Sequence, residues 1–231
     1  MLLSEWEPVY EDILKDMGFS RSSDESSARL LKAVTQNSDI VSEDVLHEMI
    51  KKNAVVVGGN VSEKDMTKIK ELVNTAESIE RRDAVLISAG SATDVLIING
   101  IIPDITVTDL DGDISLQKKA SYAGSLMIVH AHGDNADLIM QHAGEIKGRM
   151  ILTTQSTPDA LLCNFGGFTD GDRAVCTARH FGSVNITLIG FNFDVPAHKD
   201  GADTAVKKKK LAWAKKIIFD MNTSGVSITM L

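Results

Sequence analysis

Between residues 54 and 194 the chain repeats one pattern six times: a short apolar run, rich in β-branched residues, that ends in small, polar or acidic residues. The runs are AVVVGG (54–59), AVLISAG (84–90), DITVTDLDGD (104–113), SLMIVHAHGD (125–134), RMILTTQ (149–155) and NITLIGFNFD (185–194). Amphipathic stretches separate most of them, at 62–80, 91–99, 114–123, 134–146 and 170–181. A late helix is expected over 206–221, and VSITML (226–231) reads as a last strand. A strand buried on both sides has no polar face to alternate with. Near-continuous apolar strands alternating with helices therefore predict an α/β fold, a mostly parallel open sheet with helices on both faces.

The pattern starts late. Trp6, Val9, Tyr10, Ile13, Leu14 and Met17 recur at helical spacing before a stop at Gly18, and Ser23–Thr35 and Ser42–Lys52 read as two more helices. This divides the chain into an N-terminal helical region, 1–52, and an α/β domain, 53–231. With 231 residues, 43% of them hydrophobic, the chain can bury one substantial core.

Several function classes are disfavoured. A net charge of −8 argues against general nucleic-acid binding, because phosphate backbones favour a basic surface. Two cysteines, Cys163 and Cys176, both in apolar surroundings, read as reduced core thiols. The N-terminus lacks a basic segment followed by a long apolar one, and no run approaches the ~20 apolar residues of a membrane helix. A soluble, cytoplasmic protein without nucleic-acid or membrane partners is expected.

In an open α/β sheet, ligands bind outside the carboxyl ends of the strands. Those ends carry GGN (Gly58, Gly59 and Asn60), AGSAT (89–93, with Gly90 and Ser91), TDLDGD (108–113), HAHGDN (130–135), TTQ (153–155, ending in Gln155) and GFNFD (190–194), so the site is expected to span much of that edge. Asp109, Asp111 and Asp113 are like charges two residues apart at the end of a core run, an arrangement that repulsion and burial both penalise unless a cation is present. A calcium loop of EF-hand type fails, since counting from Asp109 the glycine falls at position four and Ala120 at position twelve. A haloacid-dehalogenase reading fails on the order and spacing of the other acidic motif. A Mg²⁺ site for phosphates remains, because Mg²⁺ needs only one or two carboxylates beside phosphate oxygens and water. HAHGDN is similar to the zinc motif of metallo-β-lactamase-type hydrolases, but Asn135 stands where its last histidine belongs. The segment reads better as a helix start, with Asp134 and Asp137 on one face towards the Asp109 cluster and His130 and His132 donating to phosphate.

NFGGFTDGDRA (164–174) offers two glycines, Gly166 and Gly167, for close backbone approach, and Asp170 as a cap for the following helix. Arg173 provides a planar fork for phosphate or a ring carbonyl, and Phe165 and Phe168 could flank a flat heterocycle. Lys207 to Lys210 form a run of four cations at a helix start, where they oppose the helix dipole. That cost makes sense if the segment closes over phosphates; the plainer reading is a solvated helix start.

PDITVTDLDGD, VHAHGDN and NFGGFTDGDRA, in this order and each after a strand-like run, resemble the archaeal MptE-like 6-hydroxymethyl-7,8-dihydropterin diphosphokinases over roughly residues 50 to 231. The acidic layout is also similar to that of thiamine diphosphokinases. The resemblance implies transfer of diphosphate from ATP to the pterin hydroxymethyl group, with AMP as the other product, in methanopterin or folate synthesis. It implies Mg²⁺ on Asp109, Asp111, Asp134 and Asp137, with Asp109, Asp111, Asp134 and His132 at the reaction. Nucleotide contacts would come from Gly58, Gly59, Asn60, Gly90, Ser91, His130, Gly133 and Gln155. Pterin contacts would come from Phe165, Gly166, Gly167, Phe168, Asp170, Asp172 and Arg173, with Asp170 or Asp172 accepting from the ring amino group and N–H. ATP and a pterin are then the partners, and a homo-oligomer is compatible with the reading. Two alternatives stay open: a diphosphokinase for another alcohol, of thiamine type, and a nucleotide-binding module of the same fold without the reaction.

Overall fold

A computed structural model describes residues 1–73, 83–195 and 204–231. Three helices, α1 (Leu3–Met17), α2 (Arg21–Val34) and α3 (Asp44–Met49), precede β1 (Asn53–Val57). Then follow α4 (Met66–Val73), β2 (Ala84–Ala89), α5 (Ala92–Ile98), β3 (Ile105–Thr108), α6 (Ile114–Tyr122), β4 (Leu126–Ala131), α7 (Ala136–His142) and β5 (Met150–Thr154). Last come β6 (Leu162–Cys163), α8 (Asp170–His180), β7 (Asn185–Ile189), α9 (Thr204–Lys215) and β8 (Ser227–Met230).

The strands form one sheet in the order β6-β5-β4-β3-β2-β1-β7-β8, and every pairing is parallel. The expected open parallel sheet is what is found. The chain winds outward from β1 to β6, then returns through α8 to place β7 on the other side of β1. That reversal opens a crevice at the carboxyl ends of the central strands. Alternate residues feed opposite faces. Val56, Val85, Ile87 and Val107 meet Ala174, Val175 and Ala178 of α8 on one face. Val55, Val57 and Leu86 meet Ile69 of α4 and Leu96 of α5 on the other.

The apolar runs overshoot the strands. β3 stops at Thr108 rather than 113, β4 at Ala131 rather than 134, and β7 at Ile189 rather than 194. At β3 the cause is local: Thr108 Oγ1 accepts the Leu110 amide, and Leu110 adopts φ 69°, which ends the ladder. The short β6 has no counterpart among the expected strands. The helix expected over 62–80 appears as a 3₁₀ turn at Glu63–Asp65 followed by α4, and positions 74–80 lie outside the described residues. The stretch 134–146 resolves into α7 flanked by two 3₁₀ turns, and α9 continues into a π-helical turn at Lys216–Asp220.

The N-terminal helices are bound to the sheet by large buried side chains. Trp6, Tyr10 and Ile13 are fully buried and form a cluster with Phe168, Cys176 and Ile217. Leu31 of α2 packs with Val129 of β4 and Ile139 of α7. Burial of apolar side chains of this size contributes about 1.5–3 kcal/mol each, so α1 and α2 hold a fixed position over the β4–β5 side of the crevice.

Candidate active site

The crevice is a cleft of about 710 Å³, within the usual range for small-molecule sites. Its floor is built by the strand ends: Gly58–Asn60 after β1, Gly90 and Ser91 after β2, Asp109 and Asp111 after β3, His132–Asp134 after β4, and Gln155 after β5. Phe191 and Phe193, after β7, form one end wall. Phe19, Ser23 and Asp24, from the α1–α2 turn and α2, form the other. Lys207 and Lys210 of α9 border the opening, and Thr169, Asp170, Gly171 and Arg173 bring in the start of α8.

The β3 end is shaped around Leu110. A leucine with positive φ is strained by about 1–2 kcal/mol. Here burial of its side chain against Met127 and Val129 of β4 holds it in place. The reversal sends Leu110 into the core while its flanking aspartates stay at the cleft. Asp109 Oδ1 accepts the Asp111 amide at 3.1 Å, closing the turn. Asn135 then ties the β3 and β4 ends together, donating to the carbonyls of Asp109 (2.9 Å) and His130 (2.7 Å). The position that departs from the zinc-hydrolase motif therefore has a structural task that an amide can perform.

His132 Nδ1 accepts the Asp134 amide at 3.2 Å, which leaves the proton on Nε2 to face Asp109 Oδ2 at 3.3 Å. Burial opposes ionisation of Asp109. The hydrogen bond and electrostatic pull of His132, with the charge of Arg173 and the Asp111 amide, outweigh it, so its carboxyl is held well below the usual carboxylate range. Asp170 is shifted the other way. Burial first, and then the charge of Asp109, push it up to about 8, against the pull of Arg173 at 3.1 Å. Gly90 makes this approach possible: its φ is +54°, and a Cβ there would lie 2.9 Å from Asp170 Oδ2.

Asp24 of α2 is 2% exposed and gathers donors from three other elements. Tyr10 Oη (2.5 Å) and Gln155 Nε2 (2.8 Å) both donate to its Oδ2, and the Gly133 amide (2.7 Å) donates to Oδ1. Gln155 Oε1 in turn accepts from Arg173 at 3.1 Å. Among the described residues, Arg173 Nε is buried without a partner.

The cleft brings together Gly58, Gly59, Asn60, Gly90, Ser91, Asp109, Asp111, His132, Gly133, Asp134, Gln155, Phe168, Asp170 and Arg173 of the residues expected from sequence. Six others lie off its walls. His130 is buried with Nδ1 3.0 Å from Thr153 Oγ1, and burial holds its imidazole well below its ordinary value, so it is a neutral core group rather than a phosphate donor. Asp137 is exposed in the first turn of α7, away from the cleft, so the expected set of four aspartates does not converge. Among the described residues, no group of three or more His, Cys, Asp or Glu side chains is placed to hold a metal ion. Phe165 packs edge-on against Phe181 in the core. Gly166 lies under Met1 and Trp6. Gly167, at φ +98°, crosses α8 so closely that a Cβ would sit 2.6 Å from Arg173 Cα.

Asp172, the sixth, caps α8. Its Oδ2 accepts the Phe168 amide at 2.6 Å, and its Oδ1 accepts the Thr169 amide at 2.8 Å and the Thr169 hydroxyl. The capping role expected of Asp170 thus falls to Thr169 and Asp172, three residues apart as a capping box requires. This frees Asp170 to face the cleft.

Sequence reasoning misses Asp24 and Phe19. It marks GFNFD (190–194) as one of the ligand-facing strand ends but assigns Phe191 and Phe193 no contact.

Comparisons with known proteins point to one family. The profile of the family described as 6-hydroxymethylpterin diphosphokinase MptE-like matches residues 28–197. Three curated relatives carry the name 6-hydroxymethyl-7,8-dihydropterin pyrophosphokinase. The one from Pyrococcus furiosus is 34% identical, with 97% of this chain and 96% of the relative covered. Those from Methanocaldococcus jannaschii (32%; 94% and 95% covered) and Methanothermobacter thermautotrophicus (34%; 95% and 95% covered) are similar over nearly full length. Among solved structures, the MAf glycosyltransferase from Magnetospirillum magneticum AMB-1 superposes with a TM-score of 0.55 at 14% identity, covering 91% of this chain and 38% of that one, a likeness of fold alone.

Proposed function

Because the chain belongs to the MptE-like 6-hydroxymethylpterin diphosphokinase family, we propose that it transfers the terminal diphosphate of ATP to the hydroxymethyl group of 6-hydroxymethyl-7,8-dihydropterin. The observation that carries the reading is the meeting of Asp109, Asp111, Asp170 and Arg173 on the floor of one cleft with glycine-lined strand ends beside them. Such a transfer asks for positioning and charge neutralisation more than for covalent chemistry.

The substrate hydroxyl oxygen forms a bond to the β-phosphorus, and the bond from that phosphorus to the α,β-bridging oxygen breaks, so AMP leaves. The sequence assigns Asp170 to the pterin ring. Its place beside Asp109 suits the reacting end better, because the ring amino group lies a whole bicycle away from the hydroxymethyl oxygen. In its ionised form Asp170 accepts the hydroxyl proton as the bond forms. Arg173 and the backbone amides at the start of α8 meet the transferring phosphates, and Lys207 and Lys210 meet the phosphates from the cleft mouth. Gly58, Gly59, Gly90 and Ser91 let the nucleotide approach the backbone.

The donor set fits a hard divalent cation. Asp109 and Asp111 offer carboxylate oxygens, and the repulsion between Asp109 and Asp170 is only partly offset by Arg173. Asp109 and Asp111 would hold Mg²⁺, with Asp134 nearby; when bound, the ion neutralises phosphate oxygens and fixes their geometry. His132 keeps Asp109 ionised and oriented for that role.

The test is direct. Purified protein is incubated with ATP, Mg²⁺ and 6-hydroxymethyl-7,8-dihydropterin, and phosphorus NMR follows the products. AMP and pterin diphosphate are expected. ADP or inorganic phosphate as the sole phosphorus product overturns the reading.

A further inference from the structure

The α2 side of the cleft contains a hydrogen-bonded chain that the reaction itself does not require. It runs from Tyr10 through Asp24 and Gln155 to Arg173 and ends at Asp170. Asp24 and Gln155 are each 2% exposed, and Arg173 is 5% exposed, so water cannot substitute freely for a lost partner. We propose that Asp24 is a positioning residue for the transfer: it fixes the amide of Gln155 so that Arg173 is held facing the transferring phosphates. The proposal rests on the reading above only in taking Arg173 as the phosphate-facing cation.

The direction of every bond in the chain follows from the chemistry of its ends. A carboxylate accepts only, and a guanidinium donates only. Gln155 stands between them and can satisfy both in one orientation, with its NH₂ towards Asp24 and its carbonyl oxygen towards Arg173. Tyr10 keeps its proton, because burial, and then its hydrogen bond to Asp24, push its hydroxyl well above its ordinary range, and here it donates to Asp24. Asp24 also accepts the Gly133 amide, which links the same carboxylate to the loop carrying His132 and Asp134. One acidic side chain on an N-terminal helix therefore sets the orientation of Arg173 and braces the loop beside Asp109.

Asp24→Asn brings an NH₂ group into a ring of donors. That NH₂ either faces the Gly133 amide and loosens the loop of His132 and Asp134, or faces Gln155, which must then turn its own NH₂ towards Arg173. The double variant Asp24→Asn with Gln155→Glu restores the logic with the charge moved from one position to the other. The new amide at position 24 donates to one oxygen of the new carboxylate at position 155, and the other oxygen accepts from Arg173. Gln155→Met cuts the link while leaving Asp24 with Tyr10 and Gly133.

The experiment measures three quantities for each variant: melting temperature, kcat with saturating ATP and pterin, and the affinity for inorganic pyrophosphate by calorimetry. Asp24→Asn and Gln155→Met are each expected to lower kcat and pyrophosphate affinity by about tenfold or more, the size of one charge-assisted hydrogen bond lost or mispaired. The double variant is expected to recover both to within about threefold of the parent protein. A kcat and pyrophosphate affinity unchanged in Gln155→Met overturn the proposal. So does a double variant that melts like the parent but stays as impaired as Asp24→Asn. If Asp24→Asn does not fold, the Gln155→Met and double variants decide. If the parent protein does not turn over the pterin, the functional reading fails, while the pyrophosphate titrations still test the chain from Asp24 to Arg173.

Discussion

Asp172 separates fold from recognition. The sequence offers it as an acceptor for the pterin ring, yet its hydrogen-bond partners belong to the turn that starts α8: the Phe168 amide, the Thr169 amide and the Thr169 hydroxyl. It is fully buried and off the cleft wall. Asp172→Ala leaves two backbone N–H groups without their acceptor, one of them on buried Phe168. Each unsatisfied donor costs about 1–3 kcal/mol, partly offset because the variant no longer buries a carboxylate. A net loss of about 3 kcal/mol is expected, which for a chain of this size lowers Tm by about 6–12 °C. Thermal unfolding and urea titration measure it, and the urea slope m should stay constant if only stability has changed. Pterin titrated into the folded variant below its transition should bind as it does to the parent protein. An unchanged Tm together with a roughly tenfold loss of pterin affinity would refute the assignment and return Asp172 to the ligand.

Asp109→Asn should abolish turnover while the protein stays folded, because it removes a phosphate-side ligand and relieves the repulsion with Asp170; activity near the parent level in the variant, measured as AMP released, contradicts this. The lysine run should divide by helical face: Lys207→Ala and Lys210→Ala raise KM for ATP because these two border the cleft, whereas Lys208→Ala does not, and steady-state kinetics that fail to separate them argue against a phosphate role for α9. The thiols should be inert in the native state, since burial, and then Glu43, push Cys163 up to about 12, and burial also raises Cys176. A folded pKa above the unfolded one contributes stability that is complete below about pH 8.5 and drains away as pH rises towards 12; thiol labelling at about pH 8, slow when native and fast in guanidinium, and unfolding free energy against pH above about 9 both check it.

The sheet is legible in the sequence because parallel strands buried on both faces must be apolar nearly throughout, as β1 and β2 are. Their ends are not. Thr108 and Leu110 terminate β3 through a side-chain hydrogen bond and a left-handed φ that no periodicity reports. The two-residue β6 exists only by pairing with Leu152 and Thr153. In the site, Asp109 stands out because a charge at the end of an apolar run is costly without a partner, and Arg173 because it follows the glycine-rich stretch NFGGFTDGD. Asp24 does not, since RSSDESSARLLKAV reads as a helix with a broad polar face. It is buried because α1 lays Tyr10 beside it and the sheet edge brings Gln155 and Gly133. Residues 170–173 illustrate the same limit at short range. Two aspartates two positions apart in TDGD have opposite fates, one turned to the cleft and one spent on the cap, and only the rotation of α8 tells them apart.

The charge on the cleft walls bears on how its ligands can enter. The described lining carries Asp24, Asp109, Asp111, Asp134 and Asp170 against Arg173, Lys207 and Lys210. Asp24 is engaged by three donors and Asp170 by Arg173, whereas Asp109 and Asp111 lie two residues apart in one turn on the cleft floor. A triphosphate arriving alone would meet that turn head-on, and at a separation of about 4 Å in a partly buried site each like-charge contact costs about 4 kcal/mol. For a cation–triphosphate pair the balance would reverse, because Asp109 and Asp111 would hold the cation and Arg173 and Lys210, which also line the cleft, would meet phosphate charge. The acidic strand end that first appeared as an unexplained cost in the sequence is therefore expected to favour a nucleotide in its metal-bound form over the free one, and titrations of ATP with and without Mg²⁺ check it: equal affinity in both contradicts the expectation.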